Sequence, residues 1–260
     1  MASLIELTDA EWNLVEDLFD PPHRRGAPAS YPRRLMVEAI LFLARTGCQW
    51  RYLPDRYPPW QAVWQQWLRW RANGVWARAM IRLVRVIRAK KRPNVEPSMV
   101  MIDAQTVRGG RAGPTFHNAG GRGGRTIGAK RSILVEILGL PLAVRVDPAA
   151  PHDVRVGRDL LTDHLPELPR VQAILADRGS CGLANLAARR QVRLEIKAPP
   201  KGTKGFVPIK PLVRVEHAFA RLGRWRRLSR CYEETTASAR AWLEVASLGY
   251  LFARLRAEPT

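Results

Sequence analysis

The sequence has only three cysteines in 260 residues, and they lie far apart at Cys48, Cys181 and Cys231. Their odd number and wide spacing argue against a disulfide framework and a CxxC zinc site, and they favour a reducing cytosol. Uncharged apolar runs are short, and none reaches the roughly 18 residues of a membrane-spanning helix. Hydrophobic residues make up 46% of the chain, which excludes disorder throughout. We therefore predict a globular, cytoplasmic protein that does not bind a membrane.

Acidic residues are scarce relative to basic ones. The chain has 43 Lys and Arg against 23 Asp and Glu, a formal net charge of +20. The excess is concentrated, because residues 21–92 carry sixteen bases and two acids, and residues 204–230 carry eight bases and one acid. A charge run is often only a solvated surface, and a basic protein without a polyanionic partner is the alternative. Two separated one-sided stretches nevertheless favour a nucleic-acid partner.

Gly and Pro turns divide the first 92 residues into short helical patterns. The predicted helices span residues 9–19, 33–45, 60–72 and 75–90. Arginines on their outer faces are typical of a helix-turn-helix unit that binds DNA. Six of the nine tryptophans lie between Trp50 and Trp76. Their helical spacing favours a core stripe, with a base-stacking platform as the alternative.

From residue 97 onward, strand patterns alternate with helical ones. The predicted strands span residues 97–107, 131–139, 141–147, 171–179 and 192–200. The predicted helices span residues 156–165, 183–191, 211–229 and 237–256. Gly139-Leu140 joins the second and third strands as a hairpin. This order indicates a mixed α/β domain with a central β-sheet. We thus predict a small all-α domain over residues 1–92 and an α/β domain over residues 93–260.

Three acids stand out because apolar neighbours surround them. Asp103 ends the run Val-Met-Ile-Asp, and a carboxylate within a strand is costly to bury unless it is paired or holds a metal ion. Asp177 ends a second strand, where a turn-forming role is equally open. Glu216 is the single acid among eight bases of residues 204–230, and an internal salt bridge with Arg214 or Arg221 is its alternative role.

Taken together, the three carboxylates predict a metal site. Acids at the ends of adjacent strands, joined by one from a helix packed on the sheet, offer the oxygen ligands that Mg²⁺ or Mn²⁺ prefers. Two such ions support phosphoryl transfer by activating the attacking oxygen and stabilising the leaving one. In so basic a protein, this chemistry indicates a phosphodiester substrate.

Two further motifs give weaker indications of function. Residues 109–128 contain eight glycines but do not have the spacing of a phosphate-binding loop, so we interpret them as a mobile basic loop. His152-Asp153 could be a ligand pair, although a loop and helix cap is the favoured interpretation.

Four ordered blocks, covering nearly the whole chain, resemble the insertion sequence 5 group of DDE-class bacterial transposases. They are RTGCQWRYLPDRYPPWQAVWQQWLRWRANGVW, MIDAQTV, ADRGSCG and VRVEHAFARLGRWRRLSRCYE. Three positions depart from the family pattern: Thr106 replaces a usual Ser, Ser180 a usual Tyr, and His217 a usual Arg. None of these departures removes an acid.

The resemblance implies an RNase H-like catalytic domain with a central β-sheet, in which Asp103, Asp177 and Glu216 form the catalytic and metal-binding triad. It implies a two-metal site for Mg²⁺ or Mn²⁺. It also implies binding of terminal inverted repeats and target DNA, a homodimer on paired ends, and a place at the bacterial nucleoid.

Eight basic residues are our candidate DNA contacts: Arg33, Arg34, Arg69, Arg71, Lys130, Arg214, Arg221 and Arg224. Two other functions remain open at this point. One is an RNase H-like nuclease without strand transfer, and the other is a catalytically inactive repressor that binds DNA through residues 30–92.

Overall fold

The computed structural model describes residues 5–21, 30–110, 118–119, 126–198 and 211–257. Most of the predicted glycine-rich loop at 109–128 lies outside the described residues. No helix within the described ranges is long and apolar enough to cross a membrane.

Five α-helices form the N-terminal region. They are α1 (Asp9–Asn13), α2 (Glu16–Phe19), α3 (Arg33–Thr46), α4 (Trp60–Ala72) and α5 (Val75–Lys91). The single helix predicted at 9–19 is wrong, because the chain breaks into two short helices around Leu14 and Val15. The Thr8 side chain accepts a hydrogen bond from the Glu11 amide and begins α1 as a capping box. The other three predicted helices are confirmed to within two residues.

The rest of the chain forms a central sheet with further helices. The strands are β1 (Met99–Arg108), β2 (Asn118–Ala119), β3 (Thr126–Glu136), β4 (Pro141–Pro148), β5 (Ala173–Ala176) and β6 (Arg193–Ile196). The helices are α6 (Asp153–His164), α7 (Ala184–Arg189), α8 (Val213–Leu222) and α9 (Thr236–Arg256). The helix predicted over 211–229 is too long. It ends at Leu222, just before Gly223, and a short 3₁₀ turn at Arg226–Leu228 follows.

The sheet places its strands in the order β4-β3-β1-β5-β6, with β2 beside the first residues of β3. Strand β3 pairs antiparallel with β1 on one side and with β4 on the other, whereas β5 runs parallel to both β1 and β6. Gly139 adopts a left-handed φ of +76° in the turn between β3 and β4, a conformation that glycine takes without steric cost. The predicted hairpin is therefore confirmed.

The hydrophobic core is continuous from the N-terminal helices to the sheet. Helix α9 lies at its centre, between α5, α3 and β4. The rings of Trp67 on α4 and Trp242 on α9 stack with centroids 4.3 Å apart, and both side chains are buried. Trp70 and Trp76 are buried as well, and Trp50 and Trp64 are half-buried against the core. The core interpretation is therefore confirmed for the tryptophan cluster except Trp60, which is half-buried outside the core.

A buried ion pair also joins the two regions. The Arg88 guanidinium on α5 donates to the Glu136 carboxylate at the end of β3, and both side chains are almost fully buried. Glu136 accepts two further hydrogen bonds from the amides of Leu138 and Leu140, at 2.7 and 3.2 Å. Breaking such a pair leaves an uncompensated buried charge, which typically costs about 3–5 kcal/mol. The helical region is thus fastened to the sheet, and its independence as a domain over residues 1–92 stays a prediction.

A second buried carboxyl group gives the protein a pH-dependent stability. Glu244 on α9 is 7% exposed, and burial raises its pKa to about 7 despite Arg240 at 3.4 Å. Because the folded state holds this proton more tightly than the unfolded state, stability is lost as pH rises from about 4.5 to 7.

We expect Glu244→Gln to stabilise the fold at pH 8 by up to about 3 kcal/mol, with the gain disappearing towards pH 4.5. Thermal melts at both pH values measure the difference. Glu167→Gln is the matched control, since Glu167 lines the same cavity of about 760 Å³ but is exposed. Equal effects of Glu244→Gln at the two pH values would contradict the assignment.

Candidate active site

The sheet register brings two of the predicted acids together. Parallel pairing matches Met99 with Ala173 and Met101 with Leu175. Asp103 and Asp177 each lie two residues beyond this last pair, at the same edge of the sheet. Because neighbouring strands are about 4.8 Å apart, this register places the two carboxylates next to each other.

Asp103 and Asp177 line one small cleft. Its volume is about 20 Å³, which is room for roughly one water molecule or one cation. The lining residues are Ile102, Asp103, Ala104, Ser132, Asp153, Gly157, Asp177, Ser180 and Leu183. Most of its polar groups are therefore carboxylates or hydroxyls.

Asp103 is the buried acid of this cleft. Burial is the main cause that raises its pKa to about 6, and the neighbouring carboxylates of Asp177, Glu216 and Asp153 contribute to this rise, while a hydrogen bond from the Ala104 amide at 2.8 Å opposes it. Like charges close together make ionisation costly, and a bound cation relieves that cost. The environment of Asp103 therefore suits a positively charged ligand.

Asp177 sits at the exposed end of β5. Its Oδ1 accepts a hydrogen bond from the Ser180 hydroxyl at 2.9 Å, and its carbonyl accepts one from the Ser180 amide at 3.1 Å. The turn-forming role considered for Asp177 is thus present in the structure, and the side chain still lines the cleft. Ser180, at the position where the resembled family usually has Tyr, keeps this carboxylate oriented.

Glu216 lies in the first turn of α8, a helix that packs on β1 and β3 through Val215 and Phe219. Its side chain is exposed and does not line the cleft, but it is near enough to raise the pKa of Asp103. No salt bridge to Arg214 or Arg221 forms among the described residues. The structure thus places Glu216 at the edge of the site, and the internal salt bridge considered as its alternative role is not seen among the described residues.

Asp153 lines the site, although the sequence pattern offered it only as part of a less favoured His152-Asp153 ligand pair. The His152 side chain caps α6 by accepting from the Val154 amide at 3.3 Å, which confirms the cap interpretation. Asp153, the first residue of that helix, lines the cleft and forms an ion pair with Lys130 at 2.5 Å. The sequence signal for this role was an acidic residue directly after the helix cap.

Two of the eight candidate DNA contacts have buried side chains. Arg33 is 7% exposed and donates to the Gln66 side chain at 2.9 Å. Lys130 is also 7% exposed and is held by Asp153. Burial of their charges argues against both as phosphate contacts.

The other six candidates reach the surface to different degrees. Arg34 is partly buried and bonded to Asp9 and Glu38. Arg71 is half-buried, and four arginines are exposed: Arg69, Arg214, Arg221 and Arg224. These six stay predictions.

The donor atoms of the cleft are of the kind that binds a divalent cation. All their side-chain donors are hard oxygens, and the cleft has the volume of one ion. No group of three or more His, Cys, Asp and Glu side chains among the described residues is arranged to hold a metal ion directly. The arrangement suits a cation that keeps part of its water shell, as Mg²⁺ usually does.

Family models and curated proteins match both regions of this chain. Residues 7–80 match the family model for transposases of the IS4/5 family, and residues 95–208 match the transposase DDE domain. The insertion element IS402 uncharacterized 16.2 kDa protein of Burkholderia cepacia is 32% identical over 113 residues, covering 41% of this chain and 76% of that protein. The uncharacterized protein y4sN of Sinorhizobium fredii is 36% identical over 72 residues, covering 26% of this chain and 55% of that protein.

Solved structures of the Mos1 transposase are distantly similar in shape. The paired-end complex with the left transposon end has a TM-score of 0.34 at 11% identity and covers 91% of this chain and 79% of that chain. The strand transfer complex has a TM-score of 0.32 at 12% identity and covers 92% of this chain and 81% of that chain.

The predicted family is confirmed, and so is the predicted architecture of a mixed α/β region with a central sheet after an N-terminal helical region. The matches extend over both regions of the chain, and most of the IS402 protein is covered. The chain therefore belongs to the IS4/5 family of insertion-element transposases and is a DNA transposase with a DDE domain.

Proposed function

We propose that this transposase binds the terminal inverted repeats of its insertion sequence, hydrolyses a phosphodiester at each end, and joins the freed 3′-hydroxyl to target DNA. Catalysis is assigned to Asp103, Asp177 and Glu216. The observation that carries the proposal is the shared ion-sized cleft of Asp103 and Asp177 at the end of two parallel strands, with Glu216 beside it. Mg²⁺ or Mn²⁺ is the expected cofactor, at up to two positions.

The cleavage step exchanges one oxygen on phosphorus for another. A water oxygen forms a bond to phosphorus while the bond to the 3′ oxygen breaks. The water loses a proton, the 3′ oxygen gains one, and the products are a 5′-phosphate and a 3′-hydroxyl. In strand transfer, that hydroxyl attacks a phosphodiester of target DNA in the same way.

The carboxylates of the site hold the cations and so orient the reacting phosphodiester. Bound divalent cations supply charge stabilisation for the attacking and leaving oxygens. Asp103 and Asp177 are the oxygen donors fixed by the sheet, and Ser180 orients Asp177. Glu216, on the surface of α8, is the donor nearest to approaching DNA.

Exposed arginines flank Glu216 on the same segment. Arg214 and Arg221 lie on α8 and Arg224 lies just after it, all three are exposed, and Arg221 lies over the ring of Tyr250 at 5.9 Å from the centroid. Their charges suit DNA phosphates that must pass close to the carboxylates. We infer that α8 supplies both the third acid and part of the DNA contact.

A nicking and joining assay tests the proposal. Duplex DNA carrying the element ends, the purified full-length chain and Mg²⁺ should give nicked product that EDTA abolishes, and joined product when target DNA is added. Nicks without joining would indicate an RNase H-like nuclease, and binding without nicks would indicate a repressor. A homodimer is expected on paired ends, which light scattering of the DNA complex measures.

The arginines of α4 are expected to contact the phosphate backbone. The double variant Arg69→Ala/Arg71→Ala should weaken binding of end DNA and reduce the salt dependence of log K by up to about 2, because two fewer counterions are released. Arg82→Ala is the comparison variant, since that side chain pairs with Asp17 and is not a candidate DNA contact, so its loss should leave the salt slope unchanged. An unchanged salt slope in the double variant would count against these contacts.

A further inference from the structure

We propose that Asp153 and Ser132 belong to the cation site, where they bind the water shell of the ion held by Asp103 and Asp177. Asp153 supplies a carboxylate that Lys130 fixes in place, and Ser132 supplies a hydroxyl. The inference rests on the proposed function and adds two positioning residues to it.

Asp153 is held beside the cleft by an unusual partner. The Lys130 ammonium is buried, and it pairs with Asp153 and donates to the Pro151 carbonyl. A buried lysine is costly, and its two partners lie at the start of α6, so this contact fixes the start of the helix against β3. The Asp153 carboxylate then lines the cleft and contributes to the raised pKa of Asp103.

Ser132 gives a second and independent indication of a ligand. It lies on β3, opposite Ala104 of β1, and its side chain is 1% exposed. Its hydroxyl has no hydrogen-bond partner among the described residues, although it lines the cleft. Buried hydroxyls almost always have a partner, and each exception needs an explanation. A polar ligand in the cleft provides one, since Ser132 Oγ can donate to it or accept from it.

Geometry favours contact through water. The cleft has room for one ion or one water, and no three carboxylates are arranged to bind an ion directly. Mg²⁺ is typically held by one or two carboxylates and keeps several waters. Asp103 and Asp177 fill the carboxylate role at the open side of the cleft, where Asp177 is exposed, and the one water that the cleft can hold then links the ion to Asp153 and Ser132. The competing explanation, that Asp153 only neutralises Lys130, predicts no role in ion binding.

Manganese titration of the full-length chain without DNA separates these explanations. Electron paramagnetic resonance counts free Mn²⁺ and gives the dissociation constant of each variant, and a thermal melt in EDTA confirms that each is folded. Asp153→Asn should weaken Mn²⁺ binding about 10- to 100-fold, the usual effect of losing a residue that orients a metal's ligands. Asp163→Asn is the matched control, because Asp163 lies on the same helix, pairs with Arg145 at 3.3 Å and does not line the cleft.

Ser132→Ala distinguishes a ligand role from a structural one. Removal of a hydroxyl that has no partner in the protein should leave the melting temperature in EDTA unchanged or higher. The same variant should nevertheless bind Mn²⁺ several-fold more weakly. It also keeps the test decisive if Asp153→Asn fails to fold.

Asp103→Asn tells failure of this inference apart from failure of the proposed function. If Asp103→Asn weakens Mn²⁺ binding while Asp153→Asn and Ser132→Ala bind like the wild type, Asp153 and Ser132 have no part in the site and the inference is overturned. If Asp103→Asn also binds Mn²⁺ like the wild type, the cation site itself is misplaced.

Discussion

Replacing Asp103 with Asn should abolish DNA strand cleavage and leave binding of end DNA nearly unchanged. Asn keeps the shape and the hydrogen bond from the Ala104 amide but removes the negative charge that a divalent cation needs. DNA binding depends on arginines elsewhere on the surface. We expect cleavage to fall on the order of 10³-fold, as for loss of other electrostatic groups that stabilise a transition state. Single-turnover nicking and a gel-shift titration measure the two effects.

The same variant should remain folded, which separates lost chemistry from lost structure. Burial and neighbouring carboxylates raise the pKa of Asp103 to about 6, so the ionised side chain destabilises the fold above that pH. A neutral Asn removes this cost, and the melting temperature at pH 8 in EDTA should be unchanged or higher. Asp163→Asn serves again as the control that should cleave normally. Retained cleavage by Asp103→Asn would refute its assignment.

Replacing Glu216 with Gln is expected to stop cleavage without affecting stability, and replacing Glu233 with Gln should do the opposite. Glu216 is exposed and makes no ion pair among the described residues, so its carboxylate contributes little to folding. A metal ligand cannot be replaced by the uncharged Gln. Cleavage should therefore fall at least 100-fold, in the range seen for loss of one transition-state contact.

Glu233 is the other acid that could be the third member of the triad, but the structure gives it a different role. It pairs with Arg227 at 2.7 Å and accepts a hydrogen bond from the Ser238 hydroxyl at 2.7 Å, at the start of α9. Glu233→Gln should cost about 1–2 kcal/mol of stability and retain cleavage by the folded fraction. Melting curves and nicking rates of both variants decide the case. A dead Glu233→Gln enzyme beside an active Glu216→Gln enzyme would move the third acid to Glu233.

Local sequence patterns predicted most of the elements. Pro58-Pro59 and Asn73-Gly74 mark the ends of α4, and the run of residues 131–147 with Gly139 marks a hairpin, because glycine and proline restrict the backbone without help from distant residues. The helix predicted over 211–229 failed at Gly223, where the apolar periodicity continued although the helix did not.

Long-range pairing could not be predicted from local patterns. That β5 lies beside β1, and so brings Asp177 to Asp103, was assumed in the metal-site hypothesis and implied by the family resemblance, but no local pattern predicted it. Lys130 and Arg33 were predicted at the surface because their burial depends on Asp153 and Gln66, which are distant in sequence. The ligand role of Asp153 was set aside for the same reason, since its position beside the helix cap explained it locally.

Manganese anomalous diffraction from crystals of the full chain bound to end DNA tests the central claim most directly. The account predicts an anomalous peak within about 2.5 Å of carboxylate oxygens of both Asp103 and Asp177, with Glu216 on the side of the scissile phosphate. A peak held by other acids such as Glu233 and Glu234, or a DNA-bound site with no manganese between Asp103 and Asp177, would contradict it.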